Sequence, residues 1–243
     1  MVREISAFAP ATVGNVLIGY DVLGLCLDGW GDTVSLSLNE SGEVTLGEVT
    51  GDNGVLPRDP TKNVATALIG HLLQEKGISQ GITVTLHKGL PVGSGLGSSS
   101  ASSVGALVAL NALLELNLSH EELLSYALIG EELACGARHP DNVTPCLYGG
   151  ITLTTTERGT RSLPVPADLY ATIVHPDFTL LTSEARKVLP SSLPFSNMVQ
   201  QVSSVAGFIT GLYQSDYGLI QASLHDYMTE PYRSSLIPRF SEA

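Results

Sequence analysis

The sequence has few positive charges, and they form no patch. It holds 12 Lys and Arg residues against 24 Asp and Glu residues, which gives a formal net charge of −12 over 243 residues. Because no cluster of Lys or Arg could neutralise a phosphate backbone, we expect neither nucleic acid nor an anionic membrane as a partner. An acidic balance still permits a nucleotide, since the few cations can lie together at one site.

Cysteines and long apolar runs are also scarce. Cys26, Cys135 and Cys146 are odd in number and lack CxxC spacing, which argues against a disulfide framework and against a zinc knuckle. Proline and polar residues interrupt the first 30 positions, so the apolar core of a signal peptide is missing there. No stretch of 18 apolar residues occurs, so no membrane-spanning helix is predicted. We therefore expect a soluble, cytoplasmic protein.

What the sequence does contain is typical of a globular fold. Hydrophobic residues make up 43% of the chain, charged residues make up 15%, and the 25 glycines follow no three-residue period. The length suits one large domain or two small ones. A connection rich in proline and arginine at 157–166 suggests a boundary. It divides the chain into a nucleotide-binding domain at 1–160 and a C-terminal domain at 161–243.

Strand and helix patterns are interleaved along the chain without strict alternation, which favours an α+β fold. The helix after Ser119 is marked by a capping box with Glu122. Alternating side chains predict strands at 4–9, 32–38, 81–88, 148–155 and 169–174. Helical spacing predicts helices at 63–76, 98–116, 119–135, 182–189, 197–213 and 214–227.

A glycine-rich loop between a predicted strand and a predicted helix carries the strongest chemical signal. Its glycines let backbone N–H groups converge on an anion, and the helix start adds unpaired N–H groups and the positive end of its dipole. The loop is not a Walker A element, and it fails the dinucleotide fingerprint because Ser98 replaces the third glycine. The alternative to phosphate binding is that these small residues form a turn that lets neighbouring elements pack closely. The candidate phosphate-binding residues are Pro91, Val92, Gly93, Ser94, Gly95, Leu96, Gly97, Ser98, Ser99, Ser100 and Ala101.

With no lysine inside this loop, a divalent cation would have to offset the charge of a bound triphosphate. Glu131 and Glu132 are candidate ligands, and Glu131 is preferred because its helical position is seven residues before Arg138, near the motif that follows. A solvated helix face is the competing interpretation of both carboxylates. His139 and Asn142 lie one helical turn apart and could both face a substrate hydroxyl, while Asp141 could simply cap the segment. The alternative is that His139 has only a structural role and does not contact a substrate.

These motifs together resemble the GHMP kinases, the superfamily of galactokinase, homoserine kinase, mevalonate kinase and phosphomevalonate kinase. The loop at 91–101 carries the likeness, and the segments at 10–24 and 139–143 are most similar to the homoserine kinase branch. The resemblance implies a two-domain fold: an N-terminal domain like domain 2 of ribosomal protein S5, and a ferredoxin-like C-terminal domain. It also implies ATP-dependent phosphorylation of L-homoserine to O-phospho-L-homoserine, in threonine biosynthesis.

The resemblance also implies roles for individual residues. Ser99 and Glu131 would hold Mg²⁺, and Thr182 would lie near the transferred phosphoryl group. Several relatives have an aspartate base where Asn142 stands here, and an amide accepts no proton at neutral pH. The resemblance therefore assigns no catalytic base, and His139 is the remaining candidate for the proton acceptor. The implied homoserine ligands are Asn15 and Asp21 at the ammonium end, Arg186 and Arg233 at the carboxylate, and His139 and Asn142 at the hydroxyl.

The sequence departs from the family pattern in two places, and these departures leave other functions open. Residues 16–18 replace a Gly-Pro pair that is frequent in the family, and the family continues beyond Ala243 with a third glycine-rich motif. The C-terminal domain is therefore expected to be truncated, and a non-catalytic nucleotide-binding protein of the same fold is one alternative. A kinase of another small alcohol is the other, although Asp21, Arg186 and Arg233 suit an amino acid better. The sequence does not report oligomeric state, so a homodimer is left open.

Overall fold

The computed structural model describes residues 4–174, 180 and 182–242. No helix in these ranges is long and apolar enough to cross a bilayer. The strands are β1 (Glu4–Gly14), β2 (Leu23–Asn39), β3 (Val44–Thr50), β4 (Gly81–His87), β5 (Ile151–Thr155) and β6 (Gly159–Leu163). The helices are α1 (Val64–Glu75), α2 (Ser98–Leu113), α3 (His120–Cys135), α4 (Pro140–Tyr148), α5 (Thr182–Lys187), α6 (Phe195–Gln214), α7 (Tyr217–Ser223) and α8 (Glu230–Arg233), followed by 3₁₀ turns at Ser234–Leu236 and Phe240–Glu242.

The strands form one six-stranded sheet in the order β3-β4-β2-β5-β6, with β1 also paired to β2. The long strand β2 organises the sheet, because its first residues pair with β5 and its last residues pair with β4. Only β3 and β4 run parallel, while the other pairs are antiparallel. Val34 and Leu36 are fully buried while Thr33 and Ser35 are not, as the alternation predicts. The α+β class is confirmed.

Helix α2 lies unusually close to the sheet because its residues are small. A Cβ atom at Gly105 would come within 2.8 Å of the Val34 side chain, so only glycine permits this approach. Leu107 and Leu110 then reach the central core, where α1 and α3 also pack. The capping box of α3 is present as predicted: Ser119 accepts from the Glu122 N–H, and Glu122 accepts from the Ser119 N–H.

A second hydrophobic cluster joins α6 and α7 to the far end of the sheet. Phe208 and Leu212 of α6 pack with Ile220 of α7 against residues of β2, β5 and β6. The predicted boundary at 160 falls inside β6, and the division into 1–160 and 161–243 stays a prediction.

The strand predicted at 169–174 is wrong, since none of these residues is in a strand. Besides β2, β5 pairs with β6, which lies inside the predicted connection at 157–166. The turn before β6 uses Gly159 at φ +65°, which closes the hairpin locally. Pro164 and Pro166 then lack the N–H groups that a sheet ladder needs.

A buried ion pair fixes the place where the glycine-rich loop leaves the sheet. The Lys88 ammonium contacts the Asp32 carboxylate and also donates to the Ser98 carbonyl oxygen at 2.9 Å and to Ser102 Oγ at 2.8 Å. The second Asp32 oxygen accepts the N–H groups of Gly89 and Leu90, each at 3.0 Å. One ion pair therefore joins β2, the end of β4 and the first turn of α2.

We predict that Lys88→Met will destabilise the protein by about 3–5 kcal/mol, because it leaves the Asp32 carboxylate buried without its charge partner. The matched control is Lys62→Met, which removes an exposed ion pair with Asp59 and should cost about 0–1 kcal/mol. Urea unfolding followed by circular dichroism measures both. Equal losses in the two variants would contradict a structural role for the buried pair.

Candidate active site

A cleft of about 890 Å³ brings together residues from distant parts of the sequence. The glycine-rich loop forms one wall, the turn between α3 and α4 forms another, and α5 and α8 close the third side. Its volume is within the range of ligand-binding cavities. Among the predicted site residues, those that line it are Asn15, Val92, Gly93, Ser94, Gly95, Gly97, Ser98, Ser99, Ser100, Glu131, His139, Asn142, Arg186 and Arg233.

The loop turns through three left-handed glycines. Gly93, Gly95 and Gly97 have φ values of 78°, 76° and 69°, a region that residues with a side chain rarely adopt. Gly97 is the N-cap of α2 and supplies no side chain to the first turn, so the N–H groups there remain available to a ligand. This is the geometry in which helix N-termini bind phosphate.

Thr12 of β1 anchors the loop, a role that sequence reasoning did not assign. Its N–H donates to the Leu96 carbonyl oxygen at 3.1 Å, and its hydroxyl donates to Asn142 Oδ1 at 2.9 Å. A Cβ atom at Gly97 would lie only 2.1 Å from Thr12 Oγ1. The loop therefore packs directly against β1 and the start of α4.

We predict that Gly97→Ala will cost more stability than Gly95→Ala. Both substitutions place a side chain in a left-handed conformation, at about 1–2 kcal/mol each. A Cβ atom at Gly95 meets open space, whereas at Gly97 it overlaps the buried Thr12, which adds about 1–3 kcal/mol. Thermal unfolding compares the two variants. A Gly97→Ala protein as stable as Gly95→Ala would mean that the loop does not pack on Thr12.

The two candidate metal carboxylates have opposite environments. Glu131 is buried, and its Oε2 accepts from Ser100 Oγ at 3.1 Å and from Ser99 Oγ at 3.4 Å. Glu132 is exposed and pairs with Arg138 at 2.8 Å. A buried carboxylate grouped with two hydroxyls is the oxygen-rich set that Mg²⁺ prefers, so these residues fit such an ion.

The start of α4 places three polar side chains at the cleft. His139 is the N-cap, and burial lowers the pKa of its imidazole, with the charge of Arg186 acting in the same direction. Asp141 is 4% exposed, and burial, followed by the nearby carboxylates, raises its pKa to about 6. A Cβ atom at Gly14 would collide with the side chains of both Asp141 and Asn142, so β1 presses closely against this pair. Asp141 therefore lines the cleft as a buried carboxylate, which its position as a helix cap did not reveal.

Two arginines contact the ring of one tyrosine, Tyr20. The guanidinium carbons of Arg186 and Arg233 lie 5.1 and 5.2 Å from the centre of the Tyr20 ring. Arg186 also binds the Asp21 carboxylate with both terminal nitrogens, one of them at 3.2 Å. Its Nε is buried and finds no hydrogen-bond partner among the described residues. Asn15 Oδ1 accepts the Asp21 N–H at 2.9 Å and so holds the turn that presents this carboxylate.

Tyr20 was not singled out from the sequence, because a cation–π contact between elements 160 or more residues apart leaves no local pattern. Thr182 begins α5, but its side chain lies outside the described residues, so its predicted place beside the phosphoryl group stays a prediction. The apolar and polar residues of 56–67 that line the cleft were also missed, since they read only as a turn and a helix start.

Comparison with known proteins identifies the fold and the family. The GHMP kinases N terminal domain matches residues 63–150. The homoserine kinase of Chloroherpeton thalassium is 39% identical over 250 residues, covering 98% of this chain and 78% of that protein. The homoserine kinase of Chlorobaculum tepidum is 40% identical over 252 residues, covering 99% and 78%. The crystal structure of homoserine kinase from Cytophaga hutchinsonii superposes with a TM-score of 0.93 and 46% identity, covering 98% of this chain and 76% of that one.

More distant structures share the fold alone: the L. major mevalonate kinase bound to R-mevalonate has a TM-score of 0.65 at 15% identity. The matching family model and the relatives that align over nearly the whole chain show that it is a GHMP kinase, which confirms the resemblance. Identity of about 40% across nearly the whole chain narrows the class further. The chain belongs to the homoserine kinase family.

Proposed function

We propose that this chain transfers the γ-phosphoryl group of ATP to the hydroxyl of L-homoserine, which yields O-phospho-L-homoserine for threonine biosynthesis. The relatives that carry this name are about 40% identical over 98% of the chain or more. The observation that carries the proposal is that one cleft is lined by the glycine-rich loop and by Arg186, whose guanidinium pairs with the Asp21 carboxylate behind the lining residues. The loop suits the phosphates of a nucleotide, and the pair of Arg186 and Asp21 suits the carboxylate and ammonium of an amino acid.

The nucleotide would bind along the loop and the segment 56–67. The N–H groups at the start of α2 and the positive end of its dipole stabilise phosphate charge without a lysine in the loop. Leu56, Val64 and Ala67 offer an apolar wall on the adjacent side of the cleft, which suits the base. Because Lys88 is neutralised by Asp32 beneath the loop, its main effect is to fix the loop in place.

Mg²⁺ is proposed as the metal ion, held by Glu131 and Ser99. Ser100 lies within hydrogen-bonding distance of the same carboxylate oxygen and orients it. When bound, the ion would neutralise charge on the β- and γ-phosphates. Phosphoryl transfer goes through a loose transition state, so positioning and charge stabilisation can supply most of the acceleration.

The ion pair between Asp21 and Arg186 suits a zwitterion. An incoming ammonium can bind the Asp21 carboxylate while the substrate carboxylate binds Arg186, so each partly buried charge exchanges one partner for another. The unpaired Nε of Arg186 provides a further donor for that carboxylate. Arg233 contacts the same Tyr20 ring as Arg186 and would complete the carboxylate site, while Asn15 holds Asp21 in position.

The hydroxyl end of the substrate would face the start of α4. Thr12 fixes the amide of Asn142 by donating to its oxygen, which leaves the amide N–H₂ to donate toward a ligand. Asp141 is a carboxylate beside this amide, so we propose it as the group that accepts the hydroxyl proton, ahead of His139. A kinase that draws on ATP and a free amino acid works where both are made, so we place it in the cytoplasm.

The first test is turnover with defined acceptors. We expect ADP release that depends on L-homoserine and on Mg²⁺, measured in a coupled assay, with far lower rates for mevalonate or galactose. ATP binding without turnover on any acceptor would favour the non-catalytic alternative. Faster turnover on mevalonate or galactose would favour a kinase of another alcohol.

The second test separates the two substrates. Arg233→Ala should raise the KM for homoserine roughly 10- to 100-fold, equivalent to the loss of one charge-assisted contact, and leave the KM for ATP nearly unchanged. Arg239→Ala is the matched control, because Arg239 pairs with the nearby Glu242 on the surface. Equal changes in the two KM values would contradict the assignment of Arg233 to the substrate carboxylate.

The third test concerns the proton acceptor. Asp141→Asn keeps the size of the side chain but removes its ability to take a proton, so kcat should fall by about 10²-fold or more with little change in the KM for homoserine. His139→Gln is the comparison. A kcat that falls only in the His139 variant would move the role of acceptor to the imidazole.

A further inference from the structure

Three side chains of different chemistry meet where α3 ends. Cys135 Sγ lies 3.2 Å from Glu131 Oε1 and 3.6 Å from His139 Nδ1. The ligand atoms of the three residues all lie within 4.8 Å of one another. We call Glu131, Cys135 and His139 the α3-end cluster. None of the motifs behind the kinase proposal requires a thiol at this position.

We propose that the α3-end cluster is a binding site for a thiophilic divalent cation, with Zn²⁺ as the probe that represents the class. Zinc binds thiolate sulfur at about 2.3 Å and imidazole nitrogen or carboxylate oxygen at about 2.0–2.2 Å in a tetrahedron. Those lengths place neighbouring ligand atoms about 3.3–3.6 Å apart. The two contacts of the Cys135 sulfur are close to this spacing, and all three ligand atoms lie within 4.8 Å of one another.

The local sequence explains why the three ligands converge. Glu131 and Cys135 are one helical turn apart and so share a face of α3. Gly136 then takes a left-handed conformation at φ +81°, which ends the helix and turns the chain back. This brings His139 to the same side. The helix C-terminus carries the negative end of the dipole, which favours a cation there.

The cluster also has the supporting contacts of a metal site. The second carboxylate oxygen of Glu131 accepts hydroxyl groups of Ser99 and Ser100, so its first oxygen is oriented toward Cys135. Three protein ligands leave the fourth tetrahedral position to water. Water can reach this position because Glu131 and His139 line the cleft. On binding, the metal–sulfur bond replaces the S–H bond, and the thiol proton leaves to solvent.

The chemistry of the ligands separates this site from a magnesium site. Magnesium takes oxygen ligands in an octahedron, whereas a thiolate and an imidazole select zinc, cobalt and similar ions. Glu131 belongs to both sets. If the proposed function holds, a cation in the α3-end cluster withdraws Glu131 and His139 from the kinase, so Zn²⁺ should inhibit phosphorylation.

Binding is tested on the full chain with Co²⁺, which reports thiolate ligation through a sulfur-to-metal charge-transfer band in the near ultraviolet. We expect the band in the wild-type protein, its loss on adding Zn²⁺, and its absence in Cys135→Ala. The matched control is Cys26→Ala, which removes the other half-buried thiol and should keep the band. No band in the wild type, or a band that persists in Cys135→Ala, would overturn the proposal.

A second variant confirms the other ligands. His139→Gln should weaken Co²⁺ binding by at least about tenfold while leaving the far-ultraviolet circular dichroism unchanged. Unchanged Co²⁺ affinity in a folded His139→Gln protein would remove the imidazole from the site and overturn the three-ligand arrangement.

Inhibition is tested separately, so that failure of the proposed kinase activity leaves the Co²⁺ result intact. Cys135→Ala should keep the basal rate with ATP and Mg²⁺ and need at least about tenfold more Zn²⁺ for half inhibition than the wild type or Cys26→Ala. Equal sensitivity of Cys135→Ala and wild type would show that zinc does not inhibit through this cluster. Absence of homoserine-dependent turnover in every variant would instead contradict the proposed function.

Discussion

The buried contact between Lys88 and Asp32 is the constraint on which the cleft depends. One carboxylate holds an ammonium and two backbone N–H groups, and the ammonium in turn holds the first turn of α2. Charges this deeply buried tolerate little displacement, because neither can be left unpaired. The start of the loop, the end of β4 and the N-terminus of α2 are therefore fixed together. A loop of small residues gains a definite shape from the ion pair beneath it.

Around that fixed loop the cleft divides into regions of different charge. The N–H groups of α2 offer positive partial charge, Glu131 offers negative charge beside them, and Asp21 and Arg186 offer one charge of each sign. This arrangement explains how a protein with a net charge of −12 can receive a polyanion: the cationic groups are local and directional. Glu131 is the residue that the proposed kinase and the proposed thiophilic site would have to share.

Much of this could be predicted because it is encoded by neighbouring residues. The capping box of α3, the alternation in β2 and the left-handed glycines of the loop are local patterns, and each is present in the structure. The misplaced strand at 169–174 has the opposite origin. Its residues are β-prone, but a strand exists only if a partner lies beside it, and β6 pairs with β5 instead. The choice between Glu131 and Glu132 likewise depended on which helix face the core covers.

The sequence by itself determined the α+β class, the glycine-rich loop and the family, since these follow from local periodicity and from motifs of contiguous residues. Only the tertiary structure decided that Thr12 anchors the loop, that Tyr20 contacts two arginines, and that Asp141 is a buried carboxylate in the cleft. It also decided that the α3-end cluster converges, although the absence of CxxC spacing had argued against a zinc knuckle. The reason is physical. Burial, hydrogen bonds and charge pairing act through space, so residues far apart in the chain acquire their chemistry only when packing brings them together.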